Sequence, residues 1–423
     1  MKLRIEKAVY GGSGLARAEG KAVFVPFTLP GEEVEAEIIS DKGGFAIAEL
    51  QSVLKAGVAR TDPCCPYFGR CGGCHYQHAS YAAQVAMKVG ILRESLERAH
   101  ILEIPAIEPV TAEPLGYRNR IRLHVQKNPF ALCYKLRKSV VNLPVATCPI
   151  ASPPIQSAIE VLAREGNAIG LGEFVTELEL CAAPDESLLL SLWSNHPPRH
   201  FGESMSLRLR QFLPMIQGTG IFDHKEIHKT ARLLAHFGSD SLLYPAAGCS
   251  YRVGLGSFFQ VNRFLMDPLV DLVTGAEKGD VAWDLYAGVG LFSLPLTGTF
   301  SSVTAVESSP SAVRDLRENL RRTKHRIVAS DTAAFLRQAM QQRVATPDLV
   351  VVDPPRAGLG RDVTAALEKI RPRKITYVSC DPATLSRDLA ALVQSGYRLE
   401  RMHLLDLFPQ TFHMESVTHL TLD

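Results

Sequence analysis

The chain has 423 residues, 46% hydrophobic and 21% charged, an ordinary composition for a folded protein and a length too great for one hydrophobic core. A formal net charge of +2 excludes a globally basic nucleic-acid binder, so any basic surface has to be local. No apolar run is long enough to cross a bilayer, and the alternating start Met1-Lys2-Leu3-Arg4-Ile5-Glu6 is no export signal; a cytoplasmic monomer with no membrane partner is expected.

Residues 1–54 read as a small β-barrel. Short alternating runs such as Ala22-Val23-Phe24-Val25 and Val34-Glu35-Ala36-Glu37-Ile38 are separated by the turn signals Gly11-Gly12-Ser13-Gly14, Leu29-Pro30-Gly31 and Asp41-Lys42-Gly43-Gly44. Five short strands in this space fit an OB-like fold. A Cys-rich loop follows at 60–80. Cys65-x5-Cys71-x2-Cys74 has metal-ligand spacing, and Cys148 in Thr147-Cys148-Pro149 supplies a fourth thiolate for zinc or an iron–sulfur cluster. Cys64 adjoins Cys65, which leaves the first ligand ambiguous. A helix is predicted over 81–99, carrying Lys88, Arg93 and Arg98.

Residues 115–140 hold seven Lys or Arg and no Asp or Glu. Arg118, Arg120, Arg122 and His124 alternate with Ile121, Leu123 and Val125, which puts the basic side chains on one face of a strand. With Tyr117, Phe130 and Tyr134 nearby, that face suits phosphates and unstacked bases; the plainer alternative is a solvated outer face. Residues 150–240 read as mixed helix and strand. From 245 onward strands alternate with helices: Val281–Leu285, Ser302–Val306, Asp348–Val352 and Ile375–Val378. The predicted domains are therefore 1–54, 55–240 and 241–423.

The chemistry-bearing residues cluster at the predicted strand ends. Asp284-Leu285-Tyr286-Ala287-Gly288-Val289-Gly290 is a strand followed by a glycine turn that lets a ligand approach the backbone. Glu307 ends the next strand, where an acid holds ribose hydroxyls. The turn is shorter than a dinucleotide fingerprint and looks like an S-adenosylmethionine turn. Asp331 reads equally as a partner of an adenine amino group or as a helix N-cap. Asp353-Pro354-Pro355-Arg356 places an acid after the strand at 348–352, and Ser257-Phe258-Phe259-Gln260 places two aromatics and an amide before the sheet. Taken alone, that last segment reads as core. Cys380 ends the strand Ile375–Ser379 and precedes Asp381-Pro382, while Glu415 follows the next predicted strand in His413-Met414-Glu415-Ser416. A thiol and a carboxylate at one sheet edge suggest a nucleophile and a base.

Together these motifs resemble the iron–sulfur RNA (uracil-C5)-methyltransferases, over nearly the whole chain. The resemblance implies an α/β multidomain fold: an N-terminal OB-like TRAM barrel, a central α+β domain with a Cys-rich cluster loop, and a C-terminal Rossmann-like methyltransferase domain. It implies S-adenosylmethionine and a [4Fe–4S] cluster as cofactors, with Cys65, Cys71, Cys74 and Cys148 as cluster ligands. Gln260, Tyr286, Glu307 and Asp353 match positions that contact S-adenosylmethionine, and Asp353 also lies near the target uracil. Cys380 matches the nucleophile and Glu415 the base, and their separation along the chain is part of the match. Leu291 and Asp331 depart from the family's usual amides, which weakens any contact carried over to them. RNA is the implied partner. The transfer-RNA branch usually lacks the barrel and the cluster, which favours 23S ribosomal RNA over transfer RNA. A binding protein with an iron–sulfur site but no catalysis is the remaining alternative.

Overall fold

A computed structural model describes residues 1–195, 201–223, 232–275, 277–342 and 344–422. Residues 1–55 form a closed barrel, ordered β1 (Lys2–Val9), β2 (Ser13–Ala18), β3 (Lys21–Pro26), β5 (Phe45–Lys55), β4 (Glu33–Asp41). Alternation explains it: Leu3, Ile5, Val23, Val25, Val34 and Ala36 point inward while the charged residues between them face out.

After the Cys-rich loop comes α1 (Tyr81–Arg98), followed by β6 (Ile107–Val110). The central layer is a seven-stranded sheet. Its strands are β7 (Arg120–Gln126), β8 (Ala131–Lys135), β9 (Asn142–Pro144), β10 (Val175–Ala182), β11 (Leu188–Ser194), β12 (Ile216–Asp223) and β13 (Leu233–Gly238), in the order β13-β12-β11-β10-β7-β8-β9. Three helices of this layer are α2 (Pro153–Ile169), α3 (Leu171–Phe174) and α4 (Phe201–Phe212). The hairpin β14 (Ser241–Ala246) and β15 (Cys249–Gly254) leads into the last layer.

That layer opens with α5 (Met266–Thr274), β16 (Gly279–Leu285), α6 (Ser293–Leu296), β17 (Phe300–Glu307), α7 (Pro310–Leu320) and β18 (His325–Ala329). It continues with α8 (Thr332–Gln342), β19 (Leu349–Val352), α9 (Gly360–Ile370), β20 (Lys374–Ser379), α10 (Pro382–Gln394), β21 (Tyr397–Leu405) and β22 (Glu415–Leu422). The sheet order is β18-β17-β16-β19-β20-β22-β21-β6, with β22 antiparallel to its neighbours β20 and β21. Its central strands are apolar on both faces because helices cover both. Two features differ from the sequence reading. The edge strand β6 comes from well before residue 241 and pairs in parallel with β21, Met402 opposite Ile107. The helix α1 packs on α10, burying Ile91, Leu92 and Leu96 in the same core as Leu385, Leu389 and Leu392. The segment 81–110 therefore belongs physically to the last layer.

Candidate active site

The parallel strands β16, β17, β19 and β20 all end at one edge of the sheet, and the antiparallel β22 begins there. Topology thus gathers Tyr286, Glu307, Asp353, Cys380 and Glu415 from five separate strand ends. The ladder makes the last pair specific: Ser379 lies opposite Ser416, so Cys380 and Glu415 are the next positions out across the same two strands.

The glycine turn after β16 is tightly bent, with positive φ at Tyr286 (66°), Gly288 (57°) and Gly290 (94°). A Cβ at Gly288 would meet nothing within 4 Å, so the turn faces open space where a ligand can lie. Glu307 holds the turn in place. One of its oxygens accepts from Gly288 N at 2.8 Å and the other from Ser308 N and Ser309 N at 2.7 and 2.6 Å. Three of a carboxylate's roughly four acceptor positions are filled, which leaves one for a hydroxyl. Asp331 caps α8 by accepting from Ala334 N at 3.1 Å and stays exposed, so the N-cap reading is realised. Gln260 is buried between β15 and α5. Its neighbours divide: Phe259 is in the core, while Phe258 is 66% exposed.

Three carboxyls line up behind the edge. Asp284 is fully buried, accepts a hydrogen bond from Ser293 Oγ, and burial pushes its carboxyl up to about 7. Asp353 is pushed up to about 7, by burial and then by the charge of Asp284. Glu415, 3% exposed, is raised well above the usual carboxylate range by burial and by Asp353. The Cys380 thiol is pushed up to about 12 by burial and by the negative charges of Glu415 and Asp353, with Arg356 acting in the opposite sense. Burial and mutual repulsion thus favour the protonated form of each of these groups relative to its ordinary state.

Four groups here went unassigned in the sequence. Asp284 was identifiable as an acid inside an apolar strand. Arg356 bonds His413 at 3.2 Å, which brings a cation beside the thiol. Tyr10, from the barrel, donates to Asp381 at 3.1 Å. Asp381 in turn accepts from Ala383 N and Thr384 N and caps α10 directly after Cys380. Neither the Arg356 nor the Tyr10 contact has a sequence signal, since both depend on loop conformation.

The loop before Glu415 is pinned from the N-terminal half. Gln410 O accepts from His75 N and Tyr76 N at 2.8 and 2.9 Å, the Gln410 side chain meets Gln84 at 2.9 Å, and the His75 and Phe412 rings lie 4.6 Å apart. Beneath it, Lys88 pairs with Asp406 at 2.5 Å, both side chains wholly buried, and donates to Phe408 O at 3.0 Å.

Cys65, Cys71, Cys74 and Cys148 line one cavity of about 190 Å³, closed by Tyr67, Phe68 and Tyr134. Cys64 is exposed, bonds Gln77 instead and does not line it. Burial raises the Cys71, Cys74 and Cys148 thiols, Cys74 to about 12, and the nearby thiols add to the rise.

The basic strand needs correcting. Its alternation is as expected, with Ile121 and Leu123 buried, but the acid-free stretch is not an acid-free surface. The neighbouring strand β10 supplies Glu179 to Arg120 at 2.8 Å and Glu177 to Arg122 at 2.6 Å and His124 at 3.2 Å. Arg120 is also tied to Ser257 O at 2.5 Å. Sequence proximity could not reveal compensation that arrives from a strand distant in the chain.

Known proteins match this chain along its length. The tRNA (Uracil-5-)-methyltransferase family profile matches residues 239–422, and the TRAM domain profile matches residues 1–51. An RNA methyltransferase of Aquifex aeolicus is 34% identical over 99% of this chain and 98% of its own. The 23S rRNA (uracil(1939)-C(5))-methyltransferases RlmD of Aeromonas salmonicida and Pectobacterium atrosepticum are 32% and 30% identical, each over 96% of this chain and 92% and 90% of their own. The crystal structure of Pyrococcus abyssi tRNA (uracil-54, C5)-methyltransferase with S-adenosyl-L-homocysteine superposes with a TM-score of 0.79, at 23% identity, covering 100% of both chains. That likeness carries the fold and not the target. It also shows that a full-length architecture is shared with a transfer-RNA enzyme, so architecture alone does not select ribosomal RNA.

Proposed function

The chain belongs to the S-adenosylmethionine-dependent RNA (uracil-5)-methyltransferases with an N-terminal TRAM domain, and from that premise we propose that it methylates C5 of a uridine in 23S ribosomal RNA. The observation that carries the chemistry is the placement of Cys380 and Glu415 one position beyond the Ser379–Ser416 pair that ends the β20–β22 ladder. The ribosomal target rests on the 30% and 32% identity to the 23S rRNA enzymes over 96% of the chain.

The proposed reaction is covalent. Uracil C5 is a weak nucleophile until something adds at C6. The Cys380 thiol gives up its proton to water, with Arg356 favouring the thiolate; the sulfur bonds to C6, and the C5–C6 π pair moves onto C5 and the C4 oxygen. C5 then takes the methyl group of S-adenosylmethionine, whose sulfonium leaves as a neutral thioether. Glu415 acts here in its carboxylate form: it accepts the C5 proton, the C6–S bond breaks, and the thiolate and the C5–C6 double bond are restored. The target base has to leave its stack first, at about a few kcal/mol, which contacts in the pocket offset. Tyr286, Glu307, Gln260 and Asp353 are assigned to the methyl donor: the open face of the glycine turn and the spare acceptor of Glu307 fit its ribose and methionine ends. Asp331 retains an exposed oxygen for its adenine. A strain lacking this gene should lose one 5-methyluridine from 23S rRNA, and purified protein should restore it on unmodified rRNA. Loss of 5-methyluridine from transfer RNA, with the ribosomal pattern intact, would move the target.

The same proposal assigns Cys65, Cys71, Cys74 and Cys148 to a [4Fe–4S] cluster. Four sulfurs around a single tetrahedral ion sit roughly 3.8 Å apart, given metal–sulfur bonds of about 2.3 Å. Among the described residues no group of three His, Cys, Asp or Glu is placed to hold a metal ion, and the four thiols line one cavity of about 190 Å³; the assignment rests on their sharing that cavity. The bound group would staple the loop, since methyl transfer needs no electron. Anaerobically purified protein should be brown and contain iron and sulfide, and Cys148→Ser should lower both together with solubility. Stoichiometric zinc without iron would refute the assignment.

A further inference from the structure

The barrel reaches the reacting edge of the sheet through one turn. Residues 10–12 join β1 to β2, and Gly11 and Gly12 take positive φ, 99° and 85°. A Cβ at Gly12 would come within 3.1 Å of the His75 side chain, so the turn lies directly against the Cys-rich loop. The strand before it is anchored as well. Ala8 joins the core that holds Leu92 and Leu385, and Lys7 pairs with Glu94 of α1. The Tyr10 ring stands edge-on to Phe412 at 5.4 Å, and Phe412 belongs to the loop before Glu415.

The Tyr10 hydroxyl thereby meets the turn that carries the thiol. Cys380 is the middle residue of that turn, and its two flanks are tied together. Ser379 Oγ donates to Asp381 O at 3.2 Å, and Asp381 N donates to Ser379 Oγ at 3.4 Å. The Asp381 carboxylate has three donors. One oxygen accepts from Ala383 N and Thr384 N, both at 3.0 Å, and the other accepts from Tyr10 Oη at 3.1 Å. Two of these donors come from the helix that Cys380 precedes, and the third comes from the barrel. Ionisation of the thiol is opposed by burial, by Glu415 of β22, by Asp353 after β19 and also by Asp381; Arg356, bonded to His413, acts the other way. Burial and the Asp381 charge keep the Tyr10 phenol protonated, so it stays a donor.

We propose that Tyr10 is a positioning residue for the nucleophile: its hydroxyl holds the Asp381 carboxylate, so that the negative charge next to Cys380 is shared among three donors and the sulfur is left free for the substrate. This rests on the reading of Cys380 as the nucleophile and adds to it a residue from the barrel. Without the hydroxyl, one carboxylate oxygen loses its donor, and its charge acts more strongly on the adjacent sulfur. The barrel then has a part in the chemistry that a tethered RNA-binding module would not have.

The test uses full-length protein and follows alkylation of Cys380 by iodoacetamide, read on its own peptide by mass spectrometry. The thiolate displaces iodide, so the rate reports the thiolate without any RNA. Tyr10→Phe keeps the ring against Phe412 and removes only the hydroxyl. At fixed pH it should slow alkylation about threefold: a thiol pKa raised by about 1 leaves tenfold less thiolate, offset in part by the greater nucleophilicity of what remains. Asp381→Asn keeps an oxygen for the helix cap and loses the charge, so its Cys380 should react faster than wild type. In that background Tyr10→Phe should have no further effect. Adduct formation with 5-fluorouridine RNA should slow by a similar factor in Tyr10→Phe, with S-adenosylhomocysteine affinity unchanged. Alkylation of Tyr10→Phe at the wild-type rate would overturn the proposal. So would an equal slowing by Tyr10→Phe in the Asp381→Asn background, which would make Tyr10 a packing residue. If either result comes from a wild type that methylates RNA, the reaction reading stands without Tyr10. If the alkylation rates behave as expected but wild type neither methylates RNA nor forms the adduct, the reaction reading fails and the coupling of Tyr10 to the thiol stands.

Discussion

Cys380→Ala should abolish methyl transfer, by about 10⁴-fold or more, the scale on which deleting a nucleophile acts. It should also abolish any covalent protein–RNA species, because C5 is never activated. Glu415→Gln separates the second half of the reaction from the first. Burial and Asp353 already favour the protonated, uncharged form of Glu415, so a neutral amide of the same shape should leave the fold intact. The amide cannot take the C5 proton, so the methylated adduct should persist and migrate as a retarded band on a denaturing gel. RNA with 5-fluorouridine at the target should trap wild type in the same way, since fluorine does not leave as a cation. Neither trap should form when Cys380 is Ala. Normal turnover in Cys380→Ala, or an active wild type that never cross-links to the fluorinated RNA, would leave Cys380 as a structural thiol whose high pKa has no chemical purpose.

The largest effect on stability is expected from Lys88→Met. Lys88 and Asp406 are both fully buried and lie 2.5 Å apart, so removing the ammonium strands a carboxylate in the interior. Breaking a buried pair in this way costs about 3–5 kcal/mol, whereas replacing both partners by neutral residues is often close to harmless. The denaturation midpoint should fall sharply for Lys88→Met and recover most of the loss in Lys88→Met/Asp406→Asn. Because Lys88 also donates to Phe408 O, the double variant should keep its fold but hold the loop before Glu415 less firmly, and its turnover should not recover in step with its stability. Equal midpoints for the single and double variants would show that Asp406 is protonated without its partner and that the pair has no electrostatic role.

The sequence exposes the parts of this molecule that depend on local periodicity. The barrel, the helix at 81–98 and the parallel strands follow from apolar alternation and runs. The meeting of Cys380 with Glu415 follows from which strand ends share an edge. Lys88 marks the limit. It sits in the apolar stripe of α1 between Val85 and Leu92, so its burial is legible, but its partner Asp406, far along the chain, is not. The same holds for Arg120 and Arg122, whose acids come from a strand that only the sheet order brings alongside. Phe258 and Phe259 are adjacent and chemically identical, and one is core while the other stands in a cleft; backbone direction in an irregular segment decides that, and no pattern encodes it.

The placement of β6 separates the unit of inheritance from the unit of folding. The methyltransferase profile begins at residue 239, as if a module could be cut there. A fragment from that point would lack Ile107–Val110 and leave Met402–Leu405 of β21 as a bare edge, a ready template for pairing with other chains. It would also strip α1 from α10 and expose Leu385, Leu389 and Leu392 to water. The 81–110 segment therefore covers an edge and a helix face of the domain that follows it, and it precedes that domain in the order of synthesis. Transplanting the catalytic half to another protein would require carrying this earlier stretch along with it.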